Sequence, residues 1–228
     1  MHQTGRAMDH LDEARRLVEN LARGLRSSIA AGDLGVRPKT PFLLLWAREA
    51  LSWRTEELAR CACDLLAGNN VAAGILLTRG VIESAAFIWR LKELLEERDK
   101  YSSGDLHNKF EKLLVGWKND PEFPQVDSSI LTMIDRMDRR LPGISIRQRY
   151  DDFSEFAHPN WCGVSGLFSI ANRETHTVQF GRGLDKRTPA AAKESAAIAL
   201  RSFLELFWSA YNSISDKLPE VIAELEPL

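Results

Sequence analysis

Cysteine is scarce in this sequence: Cys61, Cys63 and Cys162 are the only three in 228 residues. An odd and small number builds no disulfide framework. Cys61 and Cys63 stand two apart in a helical pattern, point to different faces and make a poor metal pair. Reduced, buried thiols in a cytoplasmic protein are the expectation. An excess of one charge is missing as well. The 30 basic and 32 acidic side chains leave a formal charge of -2, which excludes a strongly basic nucleic-acid binder of the histone type. The longest apolar run, Val71 to Leu77, stops at Thr78 and Arg79 and is too short to cross a bilayer. MHQTGRAMDHLDEARR at the N-terminus lacks the apolar centre of a signal peptide, so no membrane attachment is expected. The sequence carries no Gly-rich phosphate loop, Walker lysine or G-x-S-x-G, and no histidine spacing suited to a metal. No cofactor and no metal is expected.

What is present is helical periodicity. Leu11, Ala14, Val18, Leu21, Leu25 and Ile29 recur every three or four residues, and Gly32 and Gly35 end that pattern. Thr40-Pro41 opens a second helix whose apolar positions read as Phe42, Leu45, Trp46, Ala50, Trp53, Leu58, Cys61 and Leu65. A third, from Val71 to about Arg98, is the most apolar and reads as a central helix. Shorter helices follow: one bearing Leu106, Phe110, Leu113, Leu114 and Trp117, and another capped by Asp127 after a loop punctuated by Pro121 and Pro124. Arg147 to about His158 is helical until Pro159 stops it. Leu167 to Ala171 and Thr175 to Phe180 alternate around a polar turn, which is a β-hairpin signal spanning about residues 165–181. Thr188-Pro189 opens the last long helix. The expected fold is therefore mainly α, a bundle of about seven helices with a small hairpin insertion, forming a single domain over 1–228. The six tryptophans sit mostly at core spacing, and Trp161 is placed to line a pocket beside the His158-Pro159-Asn160 corner.

Two groups of polar residues break the pattern. Arg79 and Glu83 interrupt the apolar third helix at i and i+4, on one face. Burying such a pair is costly unless it is satisfied, so it serves either as an internal tie between helices or as an anion site using Arg79. The second group, Tyr150, Ser154 and His158, falls at i, i+4 and i+8 and forms a polar stripe. His158 lies at a helix C-terminus, where the dipole favours an imidazolium, and a histidine so placed can exchange a proton near neutral pH. Its alternative role is to cap the helix and bond to Tyr150, Ser154 or the Arg79–Glu83 pair. Residues 135–187 hold nine basic and seven acidic side chains, against 21 and 25 in the remainder. Arg136, Arg139, Arg140, Arg147 and Arg149 in that segment either meet phosphates or form a solvated face.

Arg79-x-x-x-Glu83 followed by Tyr150-x-x-x-Ser154-Glu155-x-x-His158-Pro159 resembles a family of uncharacterised bacterial helical proteins. That family is in turn distantly similar to the HEPN superfamily, helical bundles that often dimerise and include metal-independent RNases of defence and toxin–antitoxin systems. The resemblance implies a homodimer, with RNA or a small anion as ligand. HEPN RNases share an arginine followed after four to six residues by histidine. Here eight residues separate Arg149 from His158. Two functions follow. In one, the chain is a non-catalytic interaction or ligand-binding module in a regulatory or defence setting. In the other, it cleaves RNA: His158 acts as general acid or base, Arg79 stabilises phosphate charge, Glu83 positions Arg79, and Tyr150, Ser154 and Asn160 orient groups.

Overall fold

The computed structural model describes residues 2–30, 39–115, 129–182, 184 and 187–225. Among them the chain forms eight α-helices and one two-stranded antiparallel hairpin, the expected mainly α bundle with a small β insertion. The helices are α1 (His2–Gly24), α2 (Lys39–Ala67), α3 (Val71–Glu96), α4 (Ser103–Val115), α5 (Ile130–Arg140), α6 (Ile146–Ala157), the single turn α7 (Gly166–Phe168) and α8 (Arg187–Leu225). A 3-10 turn, Arg98–Lys100, follows α3, and a π-helical turn, Trp161–Ser165, precedes α7. Strands β1 (Ser169–Asn172) and β2 (Thr177–Phe180) pair Ser169 with Phe180 through Asn172 with Thr177.

Local chemistry sets the ends of these elements. α1 stops at Gly24, short of the expected Ile29, and the carbonyl of Arg26 accepts the Trp53 indole N–H at 2.9 Å, a group that a longer helix would keep for itself. α5 is capped by Ser129, whose Oγ accepts the Thr132 N–H at 3.2 Å. The expected cap Asp127, the loop prolines Pro121 and Pro124, Trp117, and the breakers Gly32 and Gly35 lie outside the described residues. α6 ends where Pro159 forces His158 into extended backbone, φ -85° and ψ 148°. In the hairpin turn, Asn172 Oδ1 accepts the main-chain N–H groups of Glu174 and Thr175 at 2.9 and 3.2 Å.

The apolar character of α3 extends past Thr78 and Arg79, contrary to the short run read from the sequence. By length and composition α3 suffices to cross a membrane, and 56% of its most apolar 18-residue window is buried within the protein.

The chain divides into two compact units. The first comprises residues 1–20, 55–82 and 145–205, and the second comprises 21–54, 83–144 and 206–228. The first unit's core is built from Leu11 and Ala14 of α1, Ala62 and Leu66 of α2, Ile75 of α3, Ile146 and Phe153 of α6, and Leu200 and Phe203 of α8. Polar ties join its helices: Arg201 of α8 donates to Glu13 of α1 at 2.8 Å, and Lys193 donates to Asn69 in the α2–α3 turn at 2.8 Å. The second unit buries Leu44 and Leu45 of α2, Ile88 and Leu91 of α3, Phe110 of α4, Met133 and Met137 of α5, and Phe207 and Ile214 of α8. There Arg98 forks onto Glu224 with two 2.7 Å bonds, and Lys217 reaches Glu96 at 2.9 Å.

The face that α2 buries differs from the one its large apolar residues suggested. Leu44, Ala47, Leu51, Thr55, Ala59, Ala62 and Leu66 are buried. Trp46 and Trp53 are about half exposed, at 49% and 50%. An indole keeps its N–H paired most easily at an edge, as Trp53 does on Arg26, while small residues on the opposite stripe admit close helix packing. None of the five tryptophans among the described residues is fully buried.

Candidate functional site

The stripe singled out on α6 lies in the first unit. Tyr150, 3% exposed, is part of the core, and its hydroxyl accepts a hydrogen bond from Arg79 Nη2 at 2.7 Å. The same guanidinium lies over the phenol ring, 4.8 Å from its centroid. The sequence grouped Arg79 and Tyr150 in one candidate site, and the structure brings these two side chains together. Ser154 points its hydroxyl back along its own helix and donates to the Tyr150 carbonyl at 2.8 Å. His158 closes the helix through its main chain, its N–H donating to the Ser154 carbonyl at 3.1 Å, while its side chain is exposed. The Tyr150 hydroxyl thus accepts from Arg79, and the Ser154 hydroxyl donates to the backbone of its own helix.

Asn160 does two jobs at the corner after Pro159. Its Nδ2 donates to Glu155 Oε2 at 2.6 Å, and its Oδ1 accepts the Gly163 N–H at 3.1 Å, which caps the π-helical turn. That turn demands glycine at 163: a Cβ there would lie 2.7 Å from the Phe156 carbonyl oxygen and closer still to that of His158. Glu83 stands one helical turn beyond Arg79 on α3, half-buried like Arg79 and not sealed in the core. Arginines of the surrounding segment pair with carboxylates. Arg147 grips Asp151 at 2.9 and 3.0 Å, and in the second unit Arg140 lies 3.3 Å from Glu97.

A second polar cluster, in the second unit, was not foreseen. Arg48 and Glu49, adjacent on α2, are only 2% and 6% exposed. Arg48 binds Glu49 Oε1 through Nε at 2.8 Å and also through Nη2, and its Nη1 donates to Ser215 Oγ at 2.7 Å. The Tyr211 hydroxyl donates to Glu49 Oε1 at 3.1 Å, and Arg48 stacks 4.3 Å from the centre of that ring. Burial first, and the Glu49 carboxylate beside it, hold the Tyr211 phenol above its ordinary range against the pull of Arg48, so it remains a donor. Small residues recurring along α2, Ala47, Ser52, Thr55, Ala59 and Ala62, were the sequence signal for this face.

Among the described residues, no three His, Cys, Asp or Glu side chains are gathered so as to hold a metal ion. The Cys63 thiol is pushed up to about 11 by burial, which makes it inert as a nucleophile.

Large apolar side chains collect at the surface in one stretch of the first unit. Trp161 is 68% exposed and Phe180 80%, with Val164, Phe168, Ile170 and Val178 also exposed between them. α7 and β1 each touch the π-helical turn, and β2 pairs with β1, so these residues belong to one arm. No family model, no curated protein and no solved structure matches the chain.

Proposed function

We propose that this chain is a non-catalytic, HEPN-like helical interaction module that works as a homodimer in a regulatory or defence setting. The observation that carries the reading is the apolar arm from Trp161 to Phe180, ordered but facing water. Monomeric proteins seldom keep several large apolar side chains together at the surface unless something docks there. The polar stripe supports the same conclusion. Arg79 with Tyr150, Ser154 with its own helix and Asn160 with the π-helical turn each hold local structure in place. Arg79 Nη2 is engaged by the Tyr150 hydroxyl, and a small-ligand role stands second to an interaction role.

The test is light scattering together with an RNA digest. The reading expects a solution mass of about twice 25.7 kDa and intact RNA after incubation with and without divalent metals. RNA fragments ending in a 2′,3′-cyclic phosphate, lost in His158→Ala, would refute the non-catalytic reading. A strictly monomeric mass would refute the dimer.

A further inference from the structure

The hairpin is short, four residues a strand, and exposed along almost all of its length. A two-stranded sheet of that size is marginal in water unless it packs or pairs further. Its geometry shows which edge is open. Gly181 N–H donates to the Phe168 carbonyl at 2.9 Å, which makes that couple hydrogen-bonded. By antiparallel alternation Ile170 with Gln179, and Asn172 with Thr177, are then the hydrogen-bonded pairs of the hairpin. The main-chain N–H and C=O of Val178 and Phe180 therefore turn away from β1. β1 meets the π-helical turn at its first residue, where Ser169 Oγ donates to the Ser165 carbonyl at 2.9 Å, and is exposed from Ile170 to Asn172, while every residue of β2 is exposed. Thr177-Val-Gln-Phe180 also carries none of the devices that protect an edge strand: no lysine, no proline and no charge.

We infer that β2 is the seam of the homodimer, pairing antiparallel with β2 of a second copy about a two-fold axis at Gln179. The inference rests on the dimeric reading above and names its interface. The open groups belong to Val178 and Phe180, so the matching register sets Val178 of one copy against Phe180 of the other, each couple exchanging both main-chain bonds. The same residues share one face of the strand, and the two copies together make a strip of two valines and two phenylalanines, a favoured β-branched–aromatic cross-strand pairing. A second copy is the occupant that fits electrically. The strands are uncharged, and Arg173 and Glu174 cancel in the turn. The contact is self-complementary and closes on itself as a dimer.

Cysteine cross-linking reads this register directly. At the axis the two Gln179 positions form a non-hydrogen-bonded pair with Cα atoms about 4.5 Å apart. That spacing lies within the disulfide range of roughly 4.4–6.8 Å. The two Thr177 positions, equally exposed, fall four residues out of step, roughly 13 Å apart. Gln179→Cys is expected to oxidise to a covalent dimer, while Thr177→Cys stays at the wild-type level set by the three native cysteines. Val178→Pro removes an N–H aimed at the partner and none from the β1 ladder, so it should weaken dimerisation by about tenfold or more with unchanged helical circular dichroism. Phe180→Lys, which keeps that N–H, should weaken dimerisation in the same direction. A wild-type protein that is monomeric overturns both the dimer and this seam. A dimer that cross-links no better through Gln179→Cys than through Thr177→Cys, or that tolerates Val178→Pro, overturns the seam and leaves the dimer standing.

Discussion

Replacing Arg48 with methionine should be among the most damaging single changes in the second unit. The side chain is 2% exposed and holds Glu49, itself 6% exposed, through two bonds while also engaging Ser215. Methionine fills much of the space but leaves a buried carboxylate that keeps its bond from the Tyr211 hydroxyl and loses the guanidinium. Stranding one member of a buried ion pair costs about 3–5 kcal/mol, whereas replacing both members with apolar residues is often close to neutral. Arg48→Met is therefore expected to lower stability by about 3–5 kcal/mol, which at ~2–4 °C per kcal/mol in a chain of this size moves Tm by roughly 6–20 °C. The double variant Arg48→Met with Glu49→Leu should recover at least about 2 kcal/mol of that loss. Urea denaturation of wild type, both single variants and the double variant measures the cycle. Repeating it in high salt should leave the coupling nearly unchanged, because a buried pair is poorly screened. If Arg48→Met costs less than about 1 kcal/mol, or the double variant is no better than the single, the cluster is not a coupled internal tie.

Other expectations follow from single residues. At neutral pH, thiol alkylation should label Cys61 and Cys162, both partly exposed, well before Cys63. The shift of Cys63 from 9.0 to about 11 lowers its thiolate fraction about a hundredfold, and burial slows it further. Equal labelling of all three in the folded protein would refute this. Burial works against ionised Glu96, but its bonds to Lys217 and Lys92 prevail and hold its carboxyl below the ordinary 4.5. A depressed carboxyl stabilises above its unfolded value and loses that contribution as pH falls through the folded one. The stability gap between wild type and Glu96→Gln should thus be present at neutral pH and close below about 4.5, and a gap that widens in acid would contradict the pairing. Gly163→Ala should cost about 1–3 kcal/mol by forcing carbonyl oxygens apart in the π-helical turn. Val164→Ala beside it, on an exposed side chain, should stay within roughly 0.5 kcal/mol in the same denaturation assay.

The parts of the fold legible in the sequence were those where periodicity and a local stop signal agree. α6 could be drawn to within a residue because an apolar stripe runs into Pro159, which no helix continues past. The hairpin was visible as alternation around Asn172, whose side chain makes the turn. Size misled on α2: large apolar Trp46 and Trp53 outweighed the small residues that pack closely, and adjacent charges at Arg48 and Glu49 look like solvent-facing residues when read alone. Their burial depends on Tyr211 and Ser215, more than 160 positions away, and no local pattern encodes such partners. The π-helical turn was missed because its cap, Asn160, reads equally well as an ordinary turn residue after proline. Of the candidate site, the i, i+4, i+8 stripe was legible, and so was the option of Arg79 joining it. The use of each hydroxyl was not, since Ser154 folds back on its own helix for reasons of rotamer and not of sequence.

The account as a whole depends on β2 of the apolar arm being covered by a second copy, and residue-resolved amide hydrogen exchange of the unmodified protein tests that most directly. The N–H groups of Val178 and Phe180 point away from β1, so nothing within the hairpin protects them. The account predicts that both exchange slowly at high protein concentration and speed up together on dilution, as the dimer dissociates. Exchange of Val178 and Phe180 at the rate of an open chain at every concentration, with Gln179 still protected by the β1 ladder, would contradict it.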